Sequence, residues 1–196
     1  MRNDRVKIGV FGGTFNPVHK GHVAVAGFFA DALSLDRLYV IPTNVSPLKS
    51  AVSASAQDRI AMLRIAFADR PDITVSDIEL RREGTSYTCD TVRELRAMHP
   101  KAKLYYLIGD DWISGFHRWK DYEYILDNVR LVIADRGGSG LTELLREFRR
   151  STGKRPIVLK NPVVVAASSD FRVSHDGSML PEGVYEYIKE RNLYGI

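Results

Sequence analysis

Cysteine is nearly missing from this chain: Cys89 is the single one in 196 residues. That excludes an internal disulfide and a zinc site built on cysteines, and it suits a reducing cytoplasmic setting. Long apolar runs are lacking as well. None approaches the roughly 18 residues of a membrane span, so no membrane segment is expected. The opening MRNDRVKIGVFGG passes from charge into apolar side chains as a secretion signal does. Its apolar part is short, breaks at Gly12-Gly13 and carries no small-residue cleavage site, so it reads as a first β-strand. No repeat, low-complexity tract or Pro/Gly/Ser linker divides the chain. The weakest seam, residues 136–140, reads as a loop. One domain over residues 1–196 is expected, with a C-terminal helical segment from about residue 168 packed on it.

Two common phosphate-binding loops are also lacking: there is no G-x-G-x-x-G and no G-x-x-x-x-G-K-[ST]. Charge is only mildly unbalanced, at +4 with a pI near 9.2, which favours anionic partners, nucleotides or nucleic acid. The densest basic cluster is Arg146, Arg149, Arg150, Lys154 and Arg155. It has helical spacing and no interleaved aromatic platform for bases, so it reads as a solvated helix end, and no nucleic-acid partner is expected.

What is present is alternation. Short apolar runs at 6–11, 37–41, 73–75, 104–108, 130–134 and 157–159 read as strands. Amphipathic stretches at 22–33, 56–67, 88–98 and 141–148 read as helices, and Pro181 opens a last apolar-periodic helix through residue 188. This pattern implies an α/β fold, a Rossmann-like, doubly wound and mostly parallel sheet with helices on both faces. Ligands of such sheets bind beyond the carboxyl ends of the strands, so functional residues should follow strands.

The first strand runs into Gly12-Gly13-Thr14-Phe15-Asn16-Pro17-Val18-His19-Lys20-Gly21-His22. Glycines let a backbone approach a ligand closely, and the N-terminus of the following helix offers N–H groups to a phosphate. His19 and His22 are three apart and can face one site, while Gly21 between them leaves room where a side chain would meet a nucleotide. As a metal site the pair lacks a third ligand; a tight turn with incidental histidines is the structural alternative.

This segment resembles the signature of the HxGH nucleotidyltransferases, and its longer form resembles that of bacterial nicotinate-nucleotide adenylyltransferases. The resemblance implies that Gly12, Gly13, Thr14, Phe15, His19 and His22 serve ATP. It also implies that the phosphate of nicotinate mononucleotide attacks the α-phosphorus and pyrophosphate leaves. The nucleophile is already a phosphate oxygen, so positioning and charge stabilisation matter more than a base. Mg2+ is expected to be held mainly by the ATP phosphates, with no protein metal site.

Further segments extend the likeness through Leu193-Tyr194. Thr85-Ser86-Tyr87-Thr88 resembles the family's nicotinate-pocket segment, which implicates Thr85 and Tyr87; the alternative is a loop with a Thr/Ser helix cap. Gly109-Asp110-Asp111 resembles the family's Gly-x-Asp, placing Gly109 and Asp111 on the nucleotide; the alternative is a solvated acidic pair. Trp119 and Arg136 match the family's stacking tryptophan and following arginine, although Trp119 could instead be core. Asn44 and Lys49 fall in the segment after the second strand, where Leu48 stands at the family's histidine position. Near the end, Ala167, Ser168, Ser169, Phe171 and Arg172 resemble a Ser-Ser-Thr-x-Ile-Arg segment that caps a helix and holds the triphosphate. Ala167 and Phe171 depart from it. His19, His22, Lys49 and Arg172 are the expected catalytic residues, and ATP and nicotinate mononucleotide the expected partners. A homo-oligomer is left open, as are another acceptor such as nicotinamide mononucleotide and a non-catalytic nucleotide-binding regulator.

Overall fold

The computed structural model describes residues 5–44, 54–135, 137, 140–160 and 166–196. The elements run β1 (Lys7–Gly13), α1 (Lys20–Leu33), β2 (Arg37–Pro42), α2 (Ala56–Ala66), β3 (Ile73–Val75), α3 (Thr88–Met98) and β4 (Lys103–Gly109). There follow α4 (Tyr122–Asn128), β5 (Arg130–Asp135), α5 (Leu141–Thr152), β6 (Ile157–Lys160), α6 (Ser168–Ser174) and α7 (Val184–Glu190). The strands form one six-stranded sheet in the order β3-β2-β1-β4-β5-β6, and every neighbouring pair is parallel. That is the doubly wound order, with its switch between β1 and β4.

Side chains alternate across the sheet, as a two-residue period requires. Leu38, Val40, Leu107, Val132 and Ala134 face one cluster with Phe29, Met62, Leu63, Phe171, Val184 and Ile188. Ile8, Val10, Tyr39, Tyr106, Ile108 and Ile133 face the other, with Val92, Leu95, Ile125 and Phe148. Helices α1, α2, α6 and α7 therefore cover one face, and α3, α4 and α5 cover the other. Each fully buried Leu or Phe contributes about 1.5–3 kcal/mol relative to exposure. Gly9 lets β1 accept this packing: a Cβ there would stand 2.4 Å from Leu35 Cδ1.

Helix α5 runs on through a polar last turn to Thr152 rather than 148, ending at Gly153 with φ 69°, and two further elements differ from the sequence expectation. The last helix begins at Val184 rather than directly after Pro181, because Gly183 turns into the left-handed region at φ 77° just before it. The short helix α4 was not anticipated; it follows Asp121, itself at φ 49°, and has too few turns to show a period. No helix among the described residues is long and apolar enough to cross a membrane.

Candidate active site

The carboxyl ends of β1, β2, β4 and β5 open on one edge of the sheet, and the crevice at the switch lies between β1 and β4. Gly12 is at its lip. A Cβ there would stand 2.8 Å from Tyr106 Oη, a buried phenol rising from β4 that shares a 3.3 Å hydrogen bond with Thr88 Oγ1. Gly13 is equally constrained, since its Cβ would meet the Phe15 ring at 3.0 Å.

Residues 14–19 form the loop from β1 to α1. His19 is the N-cap of α1, with extended backbone. Its Nδ1 accepts the N–H of His22 at 3.3 Å, and His22 Nδ1 accepts the N–H of His19 at 3.3 Å. This is a capping box built from two histidines instead of the usual Ser/Thr and Glu. It stacks the rings 3.7 Å apart at 27°. Gly21 also makes room for that stack, for a Cβ there would come 3.0 Å from the His19 ring. Phe15 is only 2% exposed, and its ring meets His22 edge-on at 4.9 Å and Phe11 at 5.4 Å. Its φ of 48° is costly for a bulky residue and marks a locally strained turn.

The loop is held from three sides. Arg59, on α2, is only 2% exposed and donates from Nη1 to the carbonyls of Thr14 at 2.9 Å and Thr43 at 2.7 Å, tying the ends of β1 and β2 together. Burial pulls its guanidinium below the usual arginine range, with Tyr194 acting in the opposite direction. From the C-terminal segment, Arg172 Nη1 donates to the Asn16 carbonyl at 2.6 Å and Ser168 Oγ to the Pro17 carbonyl at 2.9 Å. Tyr194 Oη donates to Asn16 Oδ1 at 2.8 Å. Burial raises the Tyr194 phenol well above its ordinary value. The serines do not cap α6: its N-cap is Ala167, without a side-chain bond, and Ser169 Oγ donates to Asp170 at 3.0 Å.

Across the crevice, Gly109 ends β4 and leads into a 3₁₀ turn, Asp110–Trp112. Asp110 Oδ1 accepts the N–H of Asp111 at 3.0 Å, and the Asp111 carboxylate is exposed. Trp119 is half-buried, with its ring 4.9 Å from Phe116, 6.0 Å from Trp112 and 6.5 Å from Tyr106. It therefore rests on the core while keeping one part exposed. Thr85 is exposed, and Tyr87 carries the Lys120 ammonium 4.5 Å above its ring. Tyr87, not Thr85 or Ser86, is the N-cap of α3, and it makes no side-chain cap bond, so the simple capping alternative fails. Asn44 docks on this segment by N–H to Ser86 Oγ at 3.1 Å and Nδ2 to the Arg82 carbonyl at 3.0 Å. Lys49, Leu48 and Arg136 lie outside the described residues.

The cytidylyltransferase-like family model matches residues 10–178. A protein of Neisseria meningitidis serogroup A, named a probable nicotinate-nucleotide adenylyltransferase, is 37% identical over 193 residues, covering 96% of this chain and 98% of its own. A protein of Geobacillus thermodenitrificans with the same name is 36% identical over 195 residues, covering 96% and 86%. This chain belongs to the nicotinate-nucleotide adenylyltransferase family. As a member it is a nucleotidyltransferase, the class its first loop resembles. The family's fold is present too: the nicotinic acid mononucleotide adenylyltransferase of Plasmodium falciparum, solved with NaAD, superposes with a TM-score of 0.81. That likeness spans 97% of this chain and 98% of the other at 19% identity.

Proposed function

We propose that this chain joins nicotinate mononucleotide to ATP, forming the deamido dinucleotide and pyrophosphate in the cytoplasmic synthesis of NAD. The observation that carries the reading is the paired histidine cap at the switch crevice. A neutral imidazole whose Nδ1 accepts a hydrogen bond carries its proton on Nε2. The reciprocal bonds between His19 and His22 set that tautomer in both rings, and the ring stack keeps the two donors side by side. Together with the first N–H groups of α1 they form a donor array for phosphate oxygens.

In this reading a phosphate oxygen of the mononucleotide attacks the α-phosphorus. The bond from that phosphorus to the bridging oxygen breaks, and the electron pair leaves on pyrophosphate. Donors from His19, His22 and Arg172 balance the charge that builds on the transferred group and leaving phosphates, as Lys49 would from the loop after β2. ATP would enter as its magnesium complex, the ion neutralising part of the phosphate charge. Gly12, Gly13 and Thr14 let the triphosphate approach the backbone, Ser169 adds a hydroxyl, and Gly109 and Asp111 face the nucleoside. Phe15 and Ser168 act through the loop, one by bracing the His22 ring and the other by holding Pro17. Asn44, Thr85, Tyr87 and Trp119 form the acceptor side with Arg136.

Two variants separate the halves of the site. Trp119→Ala should raise the KM for the mononucleotide about tenfold, a loss of about 1.4 kcal/mol of ring stacking, with little change for ATP. Steady-state kinetics with each substrate varied in turn checks this; an unchanged KM with a lowered Tm makes Trp119 a core residue only. Arg172→Lys keeps the charge but loses the planar fork that spans Asn16 and a phosphate together. Its KM for ATP should rise well beyond that for the mononucleotide, and equal kinetics in Arg172→Lys and wild type would remove Arg172 from the phosphate site.

A further inference from the structure

Beneath the acceptor side lies a carboxylate that the proposed reaction does not use. Glu79 is 5% exposed, and its Oε1 accepts the Thr91 hydroxyl at 2.7 Å. Thr91 Oγ1 in turn accepts from Arg82 Nη2 at 2.6 Å. Arg82 itself is held by Glu94 at 2.7 Å and stands 4.0 Å from Glu79. On the other side, Ser86 Oγ accepts the backbone N–H of Asn44 at 3.1 Å, which leaves its own proton to be donated. Burial pushes the Glu79 carboxyl above its ordinary range, while the Thr91 and Ser86 hydroxyls and Arg82 favour its charged form.

Thr91 Oγ1 accepts from Arg82 and gives its proton to Glu79, which fixes the polarity of that part of the network, while the Ser86 hydroxyl, accepting from Asn44, still has its proton to give. An unsatisfied partner here would be costly, because Ser86 and Thr91 are themselves buried. The chain of bonds joins three separate pieces of backbone: the end of β2 at Asn44, the segment before α3 at Ser86, and α3 itself at Thr91. Thr85, Tyr87 and Asn44 project from these pieces.

We propose that Glu79 is a positioning residue for the acceptor mononucleotide, holding Asn44 and the Thr85-Ser86-Tyr87 segment in one arrangement by accepting hydrogen bonds from Ser86 and Thr91. The proposal rests on the assignment of this side of the crevice to the mononucleotide. Glu79→Gln keeps the shape but can present an N–H2 to hydroxyls that also donate, so the loop should lose its single arrangement.

Steady-state kinetics with ATP and nicotinate mononucleotide tests it. In Glu79→Gln the KM for the mononucleotide should rise about tenfold or more, the factor corresponding to about 1.4 kcal/mol, while the KM for ATP stays within about twofold. Ser86→Ala, a milder change, should move the same KM in the same direction by a smaller factor, and it decides the matter where Glu79→Gln fails to fold. Unchanged mononucleotide KM in Ser86→Ala and in any folded Glu79→Gln, with only Tm lowered, overturns the proposal while leaving the reaction standing. Wild-type protein that fails to use nicotinate mononucleotide at all overturns the reaction and the proposal together.

Discussion

His22→Ala is expected to lower kcat by about 10²–10³ with the fold retained, the usual cost of losing one preorganised donor to a charged transition state. The ring has two roles, and they separate by substitution. Its Nδ1 satisfies the N–H of His19 at the start of α1, a capping contact worth about 0.5–2 kcal/mol of stability. Its Nε2 proton is the group assigned to the phosphates. His22→Asn can restore the cap, since its carbonyl also accepts from the His19 N–H, but it offers no imidazole donor at the same reach. Stability should therefore recover in His22→Asn and kcat should not. Pyrophosphate release followed alongside thermal melting checks both, and near wild-type turnover in His22→Ala would take the histidines out of the chemistry.

Arg59→Met should separate stability from activity in the opposite sense. The guanidinium is buried, and its Nε has no hydrogen-bond partner among the described residues. Burying a cation is expensive, and replacing it with an apolar chain of similar length is often close to neutral for stability. The two carbonyls that it holds, on Thr14 and Thr43, would lose their donors, at a cost of about 1–3 kcal/mol for each that stays dry. These effects oppose one another, so a modest fall in Tm is expected. Turnover should suffer more, because the residues flanking the histidine loop would no longer be tied to the end of β2. A displacement of about 1 Å in a reacting group can cost about 10²-fold. A kcat within about twofold of wild type, at any Tm, would show that the loop holds its shape without Arg59.

The strands were readable because parallel strands buried on both faces are continuous apolar runs, and β2 and β5 are of that kind. The histidine loop was readable because its chemistry is contiguous in the chain. The groups that hold the loop were not. Tyr194 reaches Asn16 from 178 residues away and Arg59 reaches Thr14 from 45, and nothing local announces either bond. Arg59 did leave one sign: it shares a face at i, i+3, i+4 and i+7 with Met62, Leu63 and Ala66, an arginine on an apolar stripe. Glu79 left none, since it follows β3 in an irregular stretch with no period to break. Gly21 was legible as a position but not in all its contacts: a side chain there would also meet the neighbouring histidine ring, which spacing alone does not show.

Pyrophosphate release from ATP, measured with nicotinate mononucleotide, with nicotinamide mononucleotide and with no acceptor, tests the central claim most directly. The account predicts release with nicotinate mononucleotide, matched mole for mole by the deamido dinucleotide, and slowed about 10²–10³-fold in His22→Ala. Release only with a different acceptor would contradict the assigned substrate. ATP binding with no pyrophosphate from any acceptor would contradict the reaction itself and leave a nucleotide-binding regulator in its place.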